Sequence, residues 1–202
     1  MTKAILAACA VIFISLPAPG QETPKGEVFG GYSYFRGDGG SHLHGWNASI
    51  TANLNRWFGV TADFSGHYNS ERSSLTVLIP RSEDFASRVD ATTNIHNFLL
   101  GGTFSYRGHE SLIPFARVLA GFSRNRENVE YALATRNGIV ASSYSNSDTA
   151  FAAAVGGGLD VKLSKSFALR VIQVDYLLTR FEHQTQNNVR ISTGIVFRFG
   201  DK

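Results

Sequence analysis

Thiols are nearly absent from this chain: its 202 residues include one cysteine, Cys9, and one methionine, Met1, both near the N-terminus. A single cysteine cannot close an internal disulfide, so the fold is held by a packed core or by a closed hydrogen-bond network. Beyond residue 20 there is no thiol for catalysis or metal binding. Long apolar runs are scarce as well. After residue 16 none approaches the ~20 residues that a membrane-spanning helix needs. Nor do apolar residues recur at three-to-four spacing after residue 26, which argues against a helical bundle. Charge of one sign is equally thin, at a net +3 with both signs spread along the chain. No basic run or stripe appears, so nothing points to nucleic acid as a partner.

What is present begins with Lys3, an apolar run from Ala4 to Leu16, and then Pro17, Ala18, Pro19 and Gly20. A basic start, an apolar stretch of that length and small residues at its end predict a secretory signal peptide over 1–20, cleaved after Gly20. Residues 21–202 then form the exported domain. Leu6-Ala7-Ala8-Cys9 has the look of a lipoprotein signal, but the apolar run continues past Cys9, whereas a lipidated cysteine closes it.

The strongest pattern lies at 46–68. Trp46, Ala48, Ile50, Ala52 and Leu54 alternate with Asn47, Ser49, Thr51 and Asn53; after a short turn, Phe58, Val60, Ala62, Phe64 and Tyr68 alternate with Thr61, Asp63, Ser65 and His67. Successive strand side chains take opposite faces, so each stretch has one apolar and one polar face, long enough to cross a bilayer at a tilt. Similar segments cover about Val28–Arg36, Asn94–Tyr106, Leu112–Arg124, Thr149–Leu163, Phe167–Leu178 and Val189–Phe199. With the central pair this makes eight strands. Phe167–Leu178 breaks phase, because Arg170 falls on one parity and Gln173 and Asp175 on the other. An arginine facing the lipid midplane costs about 2–4 kcal/mol. A bulge at Val171 or Ile172 that turns all three inward is therefore predicted.

Connections near Asn55-Arg56, Arg107–Ser111 and Ser164–Ser166 are short; those at Gly37–His44, Asn69–Ala91, Asn125–Ser147 and Glu182–Asn188 are long and polar. Short turns at one end and long loops at the other describe an all-β, eight-stranded antiparallel up-and-down transmembrane barrel. Aromatic residues near strand ends (Trp46, Trp57, Phe58, Tyr68, Tyr106, Phe115, Phe122, Phe197 and Phe199) would form interfacial girdles. Gly26-Glu27-Val28-Phe29-Gly30-Gly31-Tyr32-Ser33-Tyr34, Trp57-Phe58-Gly59-Val60-Thr61-Ala62-Asp63-Phe64-Ser65-Gly66, Pro114-Phe115-Ala116, Gly156-Gly157-Gly158, Arg170–Tyr176 and Ser192–Phe199 together make the chain resemble the small eight-stranded barrels related to outer-membrane protein X and the transmembrane domain of outer-membrane protein A. The resemblance implies the bacterial outer membrane, a monomer among outer-membrane lipids, and the barrel-assembly machinery as partner during biogenesis.

The inward parity carries Asp63, Arg117, Asp160, Lys162, Arg170, Asp175, Arg190 and Arg198, expected to form a salt-bridged network filling the lumen. The function expected from this is structural, or surface contact with a partner at the outer loops. A narrow ion channel and a lipid-modifying enzyme are the rival readings. Ser65, His67 and Asp63 share a face, but about 7 Å per step is too far for a direct relay, so no catalytic residue, cofactor or metal is expected. His42 and His44 alone do not make a metal site. Within the second long loop, Leu75–Pro80 is apolar and strand-prone. It is expected to pair with the third loop, the alternative being an exposed edge that another protein extends.

Overall fold

A computed structural model of the chain describes residues 23–77, 85–109, 111–135, 138–181 and 184–201. The expected signal peptide lies outside the described residues. Eight strands follow one another: β1 (Pro24–Arg36), β2 (His42–Asn53), β3 (Phe58–Val77), β4 (Phe85–Ser105), β5 (Leu112–Thr135), β6 (Gly138–Lys162), β7 (Phe167–Phe181) and β8 (Gln184–Asp201). Each pairs antiparallel with the next, and β1 pairs with β8 from Pro24–Asp201 to Arg36–Val189, closing the barrel. Closure leaves no edge within the barrel wall.

Parity decides which way each side chain points. Ile50, Val60, Leu100, Val118, Val155 and Ile195 are exposed on the outside, while their neighbours Ser49, Thr61, Leu99, Arg117, Ala154 and Val196 are buried inside. An apolar exterior around a polar interior is the reverse of a water-soluble barrel, and it suits a lipid surround. Aromatic pairs mark the outer surface near both ends, with Trp57 stacked on Phe104 at the short-turn end and Phe98 stacked on Phe122 toward the other. Phe115 departs from expectation. It is buried and faces the lumen, because odd-numbered residues of β5 point inward up to Ser123.

The bulge falls where the phase break required it. Arg170 is opposite Gly194 and Gln173 opposite Ser192, so Val171 and Ile172 together face Thr193. Both project outward, at 46% and 45% exposure, and Arg170, Gln173 and Asp175 all point inward. The Thr193 hydroxyl donates to the Arg170 carbonyl at 2.9 Å, occupying an acceptor beside the interrupted ladder.

The short turns are tied by their own side chains. Asn55 Oδ1 accepts from the backbone amides of Trp57 (2.8 Å) and Phe58 (2.9 Å), and Ser164 Oγ accepts from that of Phe167 (3.1 Å). Such local acceptors are why Asn and Ser favour turns. At the opposite end two of the expected loops are largely strand. β3 stays paired with β4 as far as Val77–Phe85, β4 with β5 as far as Ala86–Ala134, and β5 with β6 as far as Thr135–Gly138. The four strands thus rise beyond the barrel as one sheet. Leu75–Val77 belong to it but pair with Phe85–Ser87 of the same connection and not with the third, and among the described residues their other edge has no partner, so the expected pairing of this patch gives way to an exposed edge. It is β4 that pairs with the third connection, and 78–80 lie outside the described residues.

Candidate functional site

Polar side chains in a closed lumen have only one another to meet, and here they gather in two linked clusters of hydrogen bonds and ion pairs. The central one joins Asp63 on β3, Arg117 on β5, Asp175 on β7 and Arg190 on β8. Arg117 grips Asp175 with two parallel bonds, Nε–Oδ1 at 2.8 Å and Nη2–Oδ2 at 2.6 Å, and reaches Asp63 Oδ2 with Nη1 at 2.9 Å. Arg190 lies across the same two carboxylates, 2.8 Å from Asp63 Oδ1 and 3.0 Å from Asp175 Oδ2. Those two contacts are close in distance but poorly directed, so they act as ion pairs more than as hydrogen bonds. All four residues are essentially inaccessible. Two cations beside two anions leave the cluster neutral, and removing any one member strands a buried charge at a cost of about 3–5 kcal/mol.

Amides complete the shell. Asn47 donates to Asp63 Oδ2 at 3.0 Å, while Gln173 donates to Asn47 Oδ1 at 3.0 Å and to Asp175 Oδ2 at 2.9 Å. Gly156 makes the crossing possible. It stands directly opposite Asp175, and a Cβ there would sit 2.3 Å from Asp175 Oδ1. A larger residue would push the carboxylate off both arginines.

The second cluster fills the short-turn end. Arg170 pairs with Asp160 through two bonds of 2.8 and 3.0 Å and donates to Gln173 Oε1 at 2.7 Å, which links the clusters. Its guanidinium lies over the rings of Phe29 and Phe115, 4.4 and 4.2 Å from their centroids. Arg107 bonds Glu27 at 2.9 Å and the Arg56 carbonyl at 2.6 Å, and Arg198 lies 3.6 Å from Glu27 and 3.9 Å from Asp160.

Seven of the eight side chains assigned to the interior network therefore lie in these clusters. The exception is Lys162. It has the inward parity but sits at the last position of β6, and its side chain is exposed at the barrel mouth. Glu27 and Arg107 belong to the network although they were absent from the expected set. Glu27 precedes the first strong alternation, and Arg107 belongs to a turn, where parity gives no direction.

Toward the long-loop end the lining turns apolar, where Phe35, Leu43, Leu99, Leu119, Ala152, Ala154 and Leu177 form a buried cluster with Ile95 packed against it. Beyond them the lumen opens as a cup of about 240 Å³, whose lining includes Phe35, Ile95, Asp38, Glu127 and Asn188. His67 is fully buried beside this cluster. Its Nε2 bonds Ser33 Oγ at 2.8 Å and its ring packs on Phe35 at 5.0 Å. Ser65 instead accepts from Asn97 and Arg190, and Asp63 serves the arginines. Asp63, Ser65 and His67 thus form no relay, since a hydrolytic triad needs the histidine between serine and carboxylate.

On the outer face His42 and His44 pair with Tyr34 and Tyr32 respectively, the latter through a 2.5 Å contact from Tyr32 Oη to His44 Nδ1. Among the described residues no three His, Cys, Asp or Glu side chains come together to hold a metal ion.

No curated protein matches the sequence. In fold the chain is similar to Ail, the attachment invasion locus protein of Yersinia pestis, at 17% identity and a TM-score of 0.54, covering 86% of this chain and 99% of that one. It is likewise similar to Neisserial surface protein A, at 12% identity and a TM-score of 0.52, covering 89% of this chain and all of that one. Ail has also been solved in complex with the heparin analogue sucrose octasulfate, a structure similar to this chain at 16% identity and a TM-score of 0.51, covering 85% of this chain and 97% of that one. Residues 6–199 match the family model described as outer membrane protein beta-barrel domain, and with the closed eight-stranded barrel and its apolar exterior this chain belongs to that family and resides in the bacterial outer membrane.

Proposed function

We propose that the barrel is a sealed anchor and that its work is surface contact made by the sheet it raises beyond the membrane. The observation that carries this reading is the inequality of the strands. β1, β2 and β7 have 13, 12 and 15 residues, against 20, 21, 24 and 25 for β3, β4, β5 and β6. Spanning needs only about 9–11 residues per strand. The excess therefore serves something outside the bilayer. Pairing of β3 with β2 ends at Tyr68, and pairing of β6 with β7 begins at Phe151, so among the described residues both margins of the sheet are open edges. Open edges accept an added strand, and the exposed rings of Tyr131 and Tyr144 add contact area.

Sealing is supported by the paired central arginines and by the apolar cluster beyond them. On this reading the protein is neither a channel nor an enzyme. Replacing 72–88 and 129–144 by short turns tests it. The trimmed barrel should keep its heat-modifiable gel mobility, while cells displaying it lose adhesion to epithelial monolayers. Unchanged adhesion would refute the surface role, and steady unitary conductance of the intact protein in planar bilayers would refute the seal.

A further inference from the structure

Above the apolar cluster the lumen ends in the cup of about 240 Å³. That is room for roughly eight waters. Its lining has two characters. Phe35, buried, belongs to both the cluster and the cup, and Ile95 packs against the same cluster, so the bottom is apolar. The remaining side chains of the lining are polar, and the charged ones are all negative: Asp38, in the turn after β1, and Glu127 on β5. Neither carboxylate has a cation beside it among the described residues. Glu127 Oε1 accepts from the Asn125 amide at 3.2 Å, and Asp38 Oδ2 accepts from the Asn187 backbone at 3.1 Å. Arg124 and Arg126 flank Asn125 on β5, but strand alternation turns them to the opposite face. The lumen below differs, since each carboxylate of the two clusters there meets an arginine.

The wall of the cup also holds polar atoms that the protein leaves open. Ser123 is 1% exposed and lines the cup, and its hydroxyl makes no hydrogen bond among the described residues. Asn125 Oδ1, in the same wall, is shielded from solvent and likewise has no partner there. Buried polar groups are nearly always satisfied, so an open hydroxyl and an open amide oxygen beside two unpaired carboxylates mark a place for a donor that the protein does not supply.

We propose that the cup binds a small organic cation, a primary amine or guanidine carried on a compact apolar body. The body rests on Phe35 and Ile95, and the charged nitrogen faces Asp38 and Glu127 and donates to Ser123. A cleft lined by charge of one sign between low-dielectric walls focuses the field on such a ligand. A bare metal ion fits less well, because no third carboxylate or histidine joins the two among the described residues, and it would give the apolar floor no role. The site does not rest on the surface-contact function proposed above. None of its lining residues falls within 72–88 or 129–144, so loss of adhesion and loss of binding are separable.

The test titrates phenethylamine into the isotope-labelled, full-length exported protein in phosphatidylcholine nanodiscs and follows backbone amide shifts by NMR. Saturable shifts should appear at Ile95, Ser123 and Glu127 and be absent at Val155 and Ile195 on the lipid face. Phenylethyl alcohol, the same body without the charge, should bind at least about tenfold more weakly, which is what one charge-assisted hydrogen bond contributes. Phenylacetate should not bind. E127Q and D38N should each weaken the amine by a similar factor while keeping heat-modifiable gel mobility, and millimolar calcium chloride should not displace it. Equal binding of amine and alcohol, unchanged affinity in the folded variants, displacement by calcium, or shifts confined to the lipid face would each overturn the assignment. If one variant fails to fold, the other and the comparison of amine with alcohol on the wild-type protein decide.

Discussion

The lumen and the protruding sheet are built from the same strands, yet they solve opposite problems. Around Asp63 and Asp175 the polar groups are shut away from water and bond one another, on adjacent strands as from Asn47 to Asp63 and across the lumen as from Arg117 to Asp175 and from Gln173 to Asn47. Beyond Tyr68 and before Phe151 the same chain carries polar groups that water satisfies. There the side-chain bonds are exposed ones, such as Ser145 Oγ to Asn128 Oδ1 at 2.7 Å and Asn146 to Asp148 at 3.2 Å. A buried charge deprived of its partner has no substitute, whereas an exposed one has solvent. The interior is therefore rigidly specified and the sheet is free to vary, a division that suits an anchor carrying a contact surface.

The sharpest way to break the contrast is to strand a charge. Asp175 is the hub of the central cluster, held by Arg117, Arg190 and Gln173. Asp175→Ala leaves two buried guanidinium groups sharing Asp63 alone, and it should cost about 3–5 kcal/mol. Urea unfolding of the barrel in detergent, followed by tryptophan fluorescence, reads that loss. A cost below 1 kcal/mol, a value typical of exposed pairs, would show that water reaches the cluster and that the lumen is not sealed.

Most of this interior was legible because a lipid surround writes a strict code. Outward strand positions from Trp46 to Tyr68 must be apolar, so every polar residue on the two strands between them is assigned to the lumen without further information. The bulge at Val171 and Ile172 follows from the same rule, since only a phase reset turns Arg170 and Asp175 inward together. The code fails where lipid ends. Above the bilayer both faces of a strand are wet, alternation carries no penalty, and the outer halves of β3 to β6 look like polar loops. A weaker signal remained in Val129 and Tyr131, strand-prone residues two apart. Lys162 fails for a related reason. At the barrel mouth a long side chain of inward parity reaches water, so parity alone does not bury it. Arg107 enters from a turn and is found only through its partners Glu27 and Asn53.

A smaller effect probes how tightly the interior is fitted. Gly156→Val adds bulk where a Cβ already lies 2.3 Å from both Asp175 Oδ1 and the Val174 carbonyl. Crowding of this kind costs about 1–3 kcal/mol, and here it should also disturb the Arg117–Asp175 pair. Combining it with Asp175→Ala separates the two contributions. If carboxylate displacement dominates, the double variant is less destabilised than the sum of the singles. Strict additivity would assign the whole cost to backbone crowding.

The smallest effect is expected in the sheet. Tyr144 lies on β6 opposite Val129, with 61% of its surface exposed, and among the described residues β6 has no partner on its other side until Phe151. Truncating it removes little buried area, so Tyr144→Ala should change unfolding stability by less than about 0.5 kcal/mol. Leu119, nearer the membrane on neighbouring β5, is 1% exposed in the apolar cluster, and Leu119→Ala supplies the internal standard at about 2–5 kcal/mol. The informative quantity is the ratio. Should Tyr144→Ala approach the leucine variant in cost, the sheet would be a packed extension of the barrel core, and its open edges would be structural. Should the cost stay near zero while adhesion falls, the tyrosine is kept for what it touches outside the protein.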